Sequence, residues 1–299
     1  MQFDSYPYAI FENKVVPLAE AKISIMTNGL HYGIGIYGGI KVFDTPSGPA
    51  IFRLQDHLLR MKQSIESLGF RYEFDLDKIR QDIVNLAKKN QVKKDTYIRP
   101  IIYRSDTRIS PAIEGDYSLA VYMLSMPPYY DFTEGIRVNI SSWQRNSSQA
   151  IPPRTKATGG YINSALAIDE AKRLGFDSSI MLDKDGNVSE GAVMNLFLVK
   201  DGELITPSSD SDILEGITRK TIIEIAQENS ILFKEIKVSK EELLGADEVF
   251  FSGTATGITW CSQIDDTNIS KNRGPITTSI EEQFAGLPNN HPELFTGIN

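Results

Sequence analysis

The sequence predicts a mixed α/β (α+β) fold in two domains, and three observations carry that prediction. A chain of 299 residues, 41% hydrophobic and 23% charged, is long enough for two domains with one core each. Segments with the period of two expected of strands alternate with segments of helical period in both halves of the chain. Between the halves, Pro127-Pro128-Tyr129-Tyr130-Asp131-Phe132-Thr133-Glu134 interrupts both patterns. Residues 1–128 read as an N-terminal domain, 129–136 as a linker and 137–299 as a C-terminal domain.

In the N-terminal half, Tyr8–Phe11 and 14–16 flank a Glu12-Asn13 turn, and 21–26 continues the meander with partial alternation. Five glycines, at 29, 33, 35, 38 and 39, interleave with aromatic and β-branched residues up to Phe43. That pattern suits a strand approached closely by another backbone or a ligand, and equally a bent strand with neither. A short strand follows over 49–53. Leu54–Leu68 predicts an amphipathic helix with Leu54, Leu58, Met61, Ile65 and Leu68 on one stripe and Gly69 as its stop. Arg60 falls beside that stripe, where an arginine either meets an anion or snorkels to water. A second helix over 77–90 presents Ile79, Ile83, Leu86 and Ala87 on one face. Strands 96–103 and 117–126 pair across the loop 105–115. Tyr97 and Arg99 share one face of their strand, where a cavity would offer them a carboxylate and open water would offer nothing.

In the C-terminal half, strand 136–142 precedes a helix over 164–174, which carries Leu166, Ala167, Ala171 and Leu174 and ends at Gly175. Strand 179–182 leads to an Asp185-Gly186 turn, and 187–192 contains Glu190. A hairpin joins 195–200 to 203–206 about Asp201-Gly202. Gly216-Ile217-Thr218 opens a helix over 218–229, and Ser239-Lys240-Glu241-Glu242 reads as a capping box. The apolar strand 248–251 runs into a loop, Ser252-Gly253-Thr254-Ala255-Thr256-Gly257.

Composition excludes several classes of function. A net charge of −8 gives no support to nucleic-acid binding. No apolar run approaches the roughly 18 residues of a membrane span, and the N-terminus lacks the pattern of a signal peptide. The expected location is cytoplasmic. Cys261, the one cysteine, rules out an intrachain disulfide. His31, His57 and His291 lie far apart in sequence, so no metal site is expected.

What remains is chemistry from an organic cofactor or from Lys, Tyr, Asp and Glu. The stretch Ile151-Pro152-Pro153-Arg154-Thr155-Lys156-Ala157-Thr158-Gly159-Gly160-Tyr161 sets Lys156 on irregular backbone between a proline pair and a glycine pair, just before a helix. A lysine aimed into a cavity there could form a Schiff base with an aldehyde cofactor; taken alone, it could as readily be a solvated loop residue. Gly216-Ile217-Thr218 offers free backbone N–H groups at a helix N-terminus, and the loop of residues 252–257 offers a nest of N–H groups; both suit a phosphate. Neither matches a Walker loop, and the glycines at 33, 35, 38 and 39 lack dinucleotide spacing. Glu190 stands in apolar, β-rich surroundings; if buried, it needs a partner such as a protonated ring nitrogen. A lysine, an acid, two phosphate cradles and an arginine are the parts that a pyridoxal phosphate enzyme needs.

Eight stretches then carry a resemblance: Leu30-His31-Tyr32-Gly33; Phe52-Arg53 with His57 and Arg60; Tyr97-Ile98-Arg99-Pro100; Ser141-Ser142-Trp143-Gln144-Arg145; Lys156-Ala157 with Gly159-Gly160; Ser189-Glu190-Gly191-Ala192; Gly216-Ile217-Thr218-Arg219; and Ser252-Gly253-Thr254-Ala255. In this order they resemble the fold-type-IV pyridoxal-phosphate aminotransferases, most of all the branched-chain amino acid aminotransferases, from about Tyr8 to Gly286. The resemblance implies a small N-terminal α/β domain and a larger C-terminal β-barrel-like α/β domain, and a homodimer or a higher oligomer of dimers. It implies transamination between leucine, isoleucine or valine and 2-oxoglutarate. Lys156 would hold the cofactor and shuttle the Cα proton, and Glu190 would pair with the ring nitrogen. Arg60, Ile217, Thr218 and Thr254 would bind the phosphate, Tyr161 the phenolic oxygen, and Leu214 would also touch the cofactor. Tyr97, Thr254 and Ala255 would take the substrate α-carboxylate and Arg99 the side-chain carboxylate of glutamate. Tyr32 and Tyr37 would wall the apolar pocket, with Lys41 nearby.

Two departures stand out, one being that residues 126–130 do not align cleanly with the family's usual aromatic pocket segment. The common family run Phe-Glu-Gly-Ile-Arg reads Tyr37-Gly38-Gly39-Ile40-Lys41 here, so a charge near the pocket is missing at Gly38, and Lys41 keeps a charge without the arginine fork. The same fold hosts D-amino acid aminotransferases, (R)-amine transaminases and aminodeoxychorismate lyase; Tyr97 and Arg99 favour the branched-chain reading.

Overall fold

The computed structural model describes residues 3–127 and 133–298, so positions 129–132 of the expected linker lie outside the described residues. The chain divides into two compact units. One comprises Met1–Tyr129, Thr155–Gly159 and Leu287–Asn299; the other comprises Tyr130–Arg154 and Gly160–Gly286. The lysine segment therefore groups with the first unit rather than with 137–299. The cause is local: Ala157 bridges Ile36, and Thr158 Oγ1 donates to the carbonyls of Gly33 (2.7 Å) and Gly35 (3.2 Å).

The first unit is an eight-stranded sheet with two long helices and a short one. Its strand order is Phe295–Gly297, Gly48–Phe52, Ile40–Thr45, Thr96–Arg104, Tyr117–Ser125, Tyr8–Phe11, Lys14–Pro17, with Gly35–Tyr37 also paired to Thr96–Arg104. The helix Leu54–Leu68 buries Leu54, Leu58, Met61 and Ile65, as its spacing predicts, and ends at Gly69 in the left-handed conformation. The helix Leu76–Asn90 is capped by Asp75, whose carboxylate accepts from Lys78 N at 2.9 Å. Both helices pack on Val42, Ile51, Ile98, Ile102 and Val121 to form one core.

Two expectations fail in this unit. Residues 21–26 form no strand; the chain makes a short 3₁₀ turn at Leu18–Glu20 and leaves Ile23, Ile25 and Met26 exposed. Alternation marks a face, but a strand also needs an edge to pair with. The glycine-rich run is not one strand either. It opens as the helix Asn28–Tyr32, which Gly33 ends at φ +63°, and continues as Gly35–Tyr37 and Ile40–Thr45.

The second unit is a nine-stranded mixed sheet. Its order is Val188–Gly191, Ser178–Leu182, Ile136–Ile140, Gly257–Ile264, Glu248–Gly253, Asn195–Lys200, Glu203–Pro207, Phe233–Ile236, with Thr267–Asn268 added to Gly257–Ile264. Val188 N donates to Val238 O at 2.8 Å, linking one edge strand to the chain just past the other edge. The sheet thus curls toward closure, the barrel-like form expected. Clusters around Leu196, Val249 and Phe251, and around Phe197, Ile222 and Phe250, fill this unit.

The helix here begins at Tyr161 rather than 164, and its buried face differs from the expected one. Leu166 and Leu174 are 36% and 61% exposed, whereas Ala167 and Ala171 are fully buried. Small residues let the helix lie close on the strand Ser178–Leu182, where Ser179 Oγ donates to Ala167 O at 2.8 Å. Several elements go beyond the sequence reading, among them two that shape this unit. The strand Gly257–Ile264 turns the expected 252–257 loop into a hairpin with residues 254–256 at its tip. The helix Pro275–Asn290 starts against buried Glu248, whose carboxylate accepts from Ile276 N, Thr277 N and Thr277 Oγ1. That cap comes from 28 residues away, so no local signal announces it. Among the described residues, no helix is long and apolar enough to cross a membrane, and no group of three or more His, Cys, Asp or Glu side chains could hold a metal ion.

Candidate active site

In the first unit the site is built around Lys156. Its backbone sits at φ +49°, a left-handed conformation that a non-glycine residue holds only where its surroundings enforce it. The enforcing contacts are with the strand Gly35–Tyr37 and the residues before it: Tyr37 N donates to Lys156 O at 3.4 Å, and Gly159 N donates to Gly33 O at 3.0 Å. A side chain at Gly33 would meet Gly159 Cα at 2.7 Å, so the two backbones come as close as only glycine allows. The close approach expected of the glycine-rich run is therefore to another backbone, that of the lysine loop.

Tyr37 stands under two cations. Lys156 Nζ lies 5.1 Å from its ring centre and the Arg99 guanidinium 4.2 Å. Arg99 also donates to Tyr97 Oη at 2.9 Å and lies 5.0 Å from that ring, so Tyr97 and Arg99 share a face as the alternation predicts. Burial works against the charged guanidinium, but Tyr97, Tyr37 and Tyr122 outweigh it and hold the pKa above its ordinary value. The Tyr97 hydroxyl occupies the space of a side chain at residue 39; a Cβ there would overlap it, so Gly39 is required.

Other first-unit candidates fall as follows. Arg60 lies on the helix Leu54–Leu68 with His57, which is 1% exposed and whose Nδ1 has no hydrogen-bond partner. Burial first, then the charges of Arg60, Lys156 and Arg53, hold the His57 pKa well below its ordinary value, so the ring is neutral. Lys41 pairs with Asp95 at 3.5 Å. At Gly38 a Cβ would meet Pro100 Cγ at 2.8 Å and Met61 Sδ at 3.1 Å, so the position points into packed side chains. Tyr32 is 38% exposed.

In the second unit the centre is Glu190, 4% exposed. Oε1 accepts from Arg145 Nη2 at 2.8 Å, Oε2 accepts from Asn195 Nδ2 at 2.8 Å, and Leu214 N reaches both at 3.2 Å. Asn195 Nδ2 also donates to Leu214 O at 2.7 Å, and its Oδ1 fills the space where a Cβ of Gly216 would be. Gly216 is thus required for the Asn195 side chain to fit. Asp212, at φ +56°, fastens the same loop by accepting from Ser148 N (2.8 Å) and Ser148 Oγ (2.7 Å).

The anion-binding candidates of this unit fall as follows. Ile217 and Thr218 begin the helix Ile217–Glu228, which lacks a side-chain cap and so leaves first-turn N–H groups for a ligand. Thr254 and Ala255 sit at the hairpin tip, and Tyr161 opens its helix. Two buried hydroxyls in the hairpin, Ser252 Oγ and Thr256 Oγ1, have no hydrogen-bond partner. A polar ligand at this tip would satisfy such groups, and a buried carboxylate suits a protonated ring nitrogen; the residues present fit pyridoxal phosphate.

The sequence reading misses Arg145, Asn195, His57, Ser252 and Thr256 as site residues. Arg145 ends the Ser-Ser-Trp-Gln-Arg stretch, which carries no role of its own; nothing local marks Asn195.

Comparison with known proteins follows the same line. A family model described as Amino-transferase class IV matches residues 35–264. A probable branched-chain-amino-acid aminotransferase of Aquifex aeolicus is 38% identical over 286 residues, covering 94% of this chain and 92% of the relative. A branched-chain aminotransferase from Thermoproteus uzoniensis, solved with norvaline, superposes with a TM-score of 0.94 at 34% identity, covering 99% and 100% of the two chains. A branched-chain amino acid aminotransferase from Thermobaculum terrenum, solved in its PLP form, superposes with a TM-score of 0.92 at 29% identity, covering 99% of each chain.

Proposed function

The chain belongs to the class IV amino-transferases, and on that premise we propose how its residues carry out branched-chain transamination. The protein is a pyridoxal-phosphate-dependent aminotransferase that exchanges the amino group between leucine, isoleucine or valine and 2-oxoglutarate. The cofactor, when bound, supplies an electron sink for the pair left behind as the substrate Cα–H bond breaks.

The chain's own residues do the rest. Lys156 would hold the cofactor covalently and take the proton from the substrate Cα at Nζ. Glu190 would hold the proton on the ring nitrogen, with Leu214 N and Asn195 keeping its carboxylate in place. Ile217, Thr218 and Thr254 would bind the phosphate with Arg60, and Tyr161 the phenolic oxygen. Tyr97, Thr254 and Ala255 would take the α-carboxylate and Arg99 the second carboxylate of glutamate. Tyr32 and Tyr37 would bound the apolar pocket, with Lys41, which pairs with Asp95, nearby. The observation that carries this reading is the Tyr37 ring beneath both Lys156 and Arg99, which sets an anion-seeking charge beside the reactive amine.

We assign the protein to the cytoplasm and to a homodimer or a higher oligomer built from dimers. Ile25, Met26, Leu30, Ile109 and Ile113 are 40–93% exposed, and Asn28 N to Asp106 O at 3.0 Å ties their two segments together. An apolar patch of this kind suits a second copy. The test is an amino-donor panel of L-leucine, L-isoleucine, L-valine, L-glutamate, D-alanine and (R)-1-phenylethylamine, with the mass of the assembly in solution. Turnover confined to the four L-amino acids supports the reading; preference for D-alanine or the amine overturns it.

A further inference from the structure

Arg145 is assigned no step of the reaction, yet its guanidinium is paired with the acid at the centre of the second unit. Nη2 stands 2.8 Å from Glu190 Oε1, with 11% and 5% of the two side chains exposed. The chain builds this position with care. Arg145 N donates to Leu182 O at 2.8 Å. On either side of it, Asn163 donates from Nδ2 to Gln144 O (2.8 Å) and accepts at Oδ1 from Asn146 N (3.1 Å). Glu170 accepts from Ser141 Oγ, Ser142 Oγ and Ser142 N, which holds the start of the segment on the helix Tyr161–Leu174. The stretch 141–146 is thus stapled along one helix, and what it delivers is a buried cation to a buried carboxylate.

We propose that Arg145 is a positioning residue that keeps the proton on the cofactor's ring nitrogen by holding Glu190 as the carboxylate. This rests on the assignment of Glu190 to that nitrogen. Two arrangements compete for one proton: carboxylate with protonated ring, or carboxylic acid with neutral ring. Arg145 touches the carboxylate directly, whereas a ring held by that carboxylate would lie farther from it, so its charge favours the first arrangement. Asn195 and Leu214 N, both neutral donors, place the oxygens but contribute no net charge.

The experiment is ¹⁵N magnetic resonance of the holoenzyme carrying pyridoxal phosphate labelled at the ring nitrogen, in wild type, Arg145→Gln, Arg145→Lys and Glu190→Gln. The wild type and Arg145→Lys should show a protonated ring nitrogen. Arg145→Gln should shift most of the way to the unprotonated resonance. An unshifted Arg145→Gln overturns the proposal, and so does an Arg145→Lys displaced as far as Arg145→Gln, since charge is then not the cause. If Arg145→Gln does not retain cofactor, Arg145→Lys decides alone: a protonated nitrogen supports the proposal and an unprotonated one overturns it. Glu190→Gln tests the premise separately; if it leaves the nitrogen protonated, the Glu190 assignment itself fails.

Discussion

Arg99 and Arg145 are both largely buried, and each has an Nε without a hydrogen-bond partner, but the two units use them oppositely. Arg145 is spent on Glu190, a carboxylate 2.8 Å away that cancels its charge. Arg99 is held by the faces of Tyr37 and Tyr97 and by one phenol oxygen, all neutral groups that steady the guanidinium while leaving its charge uncancelled. Burial alone, then, does not make an arginine structural. The charge of its partner decides: an arginine paired with an acid has its charge cancelled, and one cradled by aromatic rings keeps a charge that an anion could meet.

Substitutions can break or sharpen this contrast. The largest effect is expected at Lys156, which shares the Tyr37 ring with Arg99. Lys156→Ala should lower transamination by orders of magnitude while leaving the fold intact, because the proposed covalent attachment and proton transfer would both be lost. Near-parental turnover without an added amine would remove Lys156 from the mechanism.

Next comes the acid side. Glu190→Gln leaves the Arg145 charge buried and uncompensated, a defect worth about 3–5 kcal/mol. The variant should melt earlier than the wild type, and single-turnover loss of the Cα proton should slow much more than cofactor affinity falls. Unchanged melting would show that Arg145 is not committed to Glu190.

The aromatic side should respond selectively. If Arg99 takes the side-chain carboxylate of glutamate as proposed, Arg99→Ala removes a charge-assisted contact worth about 1.5–3 kcal/mol. kcat/KM for glutamate and 2-oxoglutarate should fall by a factor of order ten to a hundred, with leucine changed far less. Equal losses for both substrates would make Arg99 structural or a ligand of the α-carboxylate.

The smallest effect concerns His57, which feels the charges of Arg60, Lys156 and Arg53. Its folded pKa is depressed, so the unfolded chain binds a proton that the folded chain refuses. The stability it permits is complete above the unfolded pKa near 6.5 and declines as pH falls from there toward the folded value, by at most about 1.4 kcal/mol per pH unit. His57→Gln should flatten that slope in denaturant melts between about pH 6.5 and 5. An unchanged slope would locate the titration elsewhere.

What the sequence determined by itself were features written in neighbouring residues. Period and punctuation are local, so the helix Leu54–Leu68, the Asp201-Gly202 hairpin and the capping box at Ser239 could be read directly. The lysine between its proline and glycine pairs, and Tyr97 beside Arg99 on one strand face, were legible for the same reason. What only the tertiary structure decided depends on distant partners. Residues 21–26 alternate yet pair with nothing, and the helix Pro275–Asn290 takes its cap from Glu248. Gly33 needs to be glycine because Gly159, far along the chain, lies against it. Above all, the sequence shows Arg99 and Arg145 as the same side chain. Whether each charge is cancelled by a carboxylate or left standing between tyrosine rings is set by which chain segments fold back beside it, and no window of neighbouring residues holds that information.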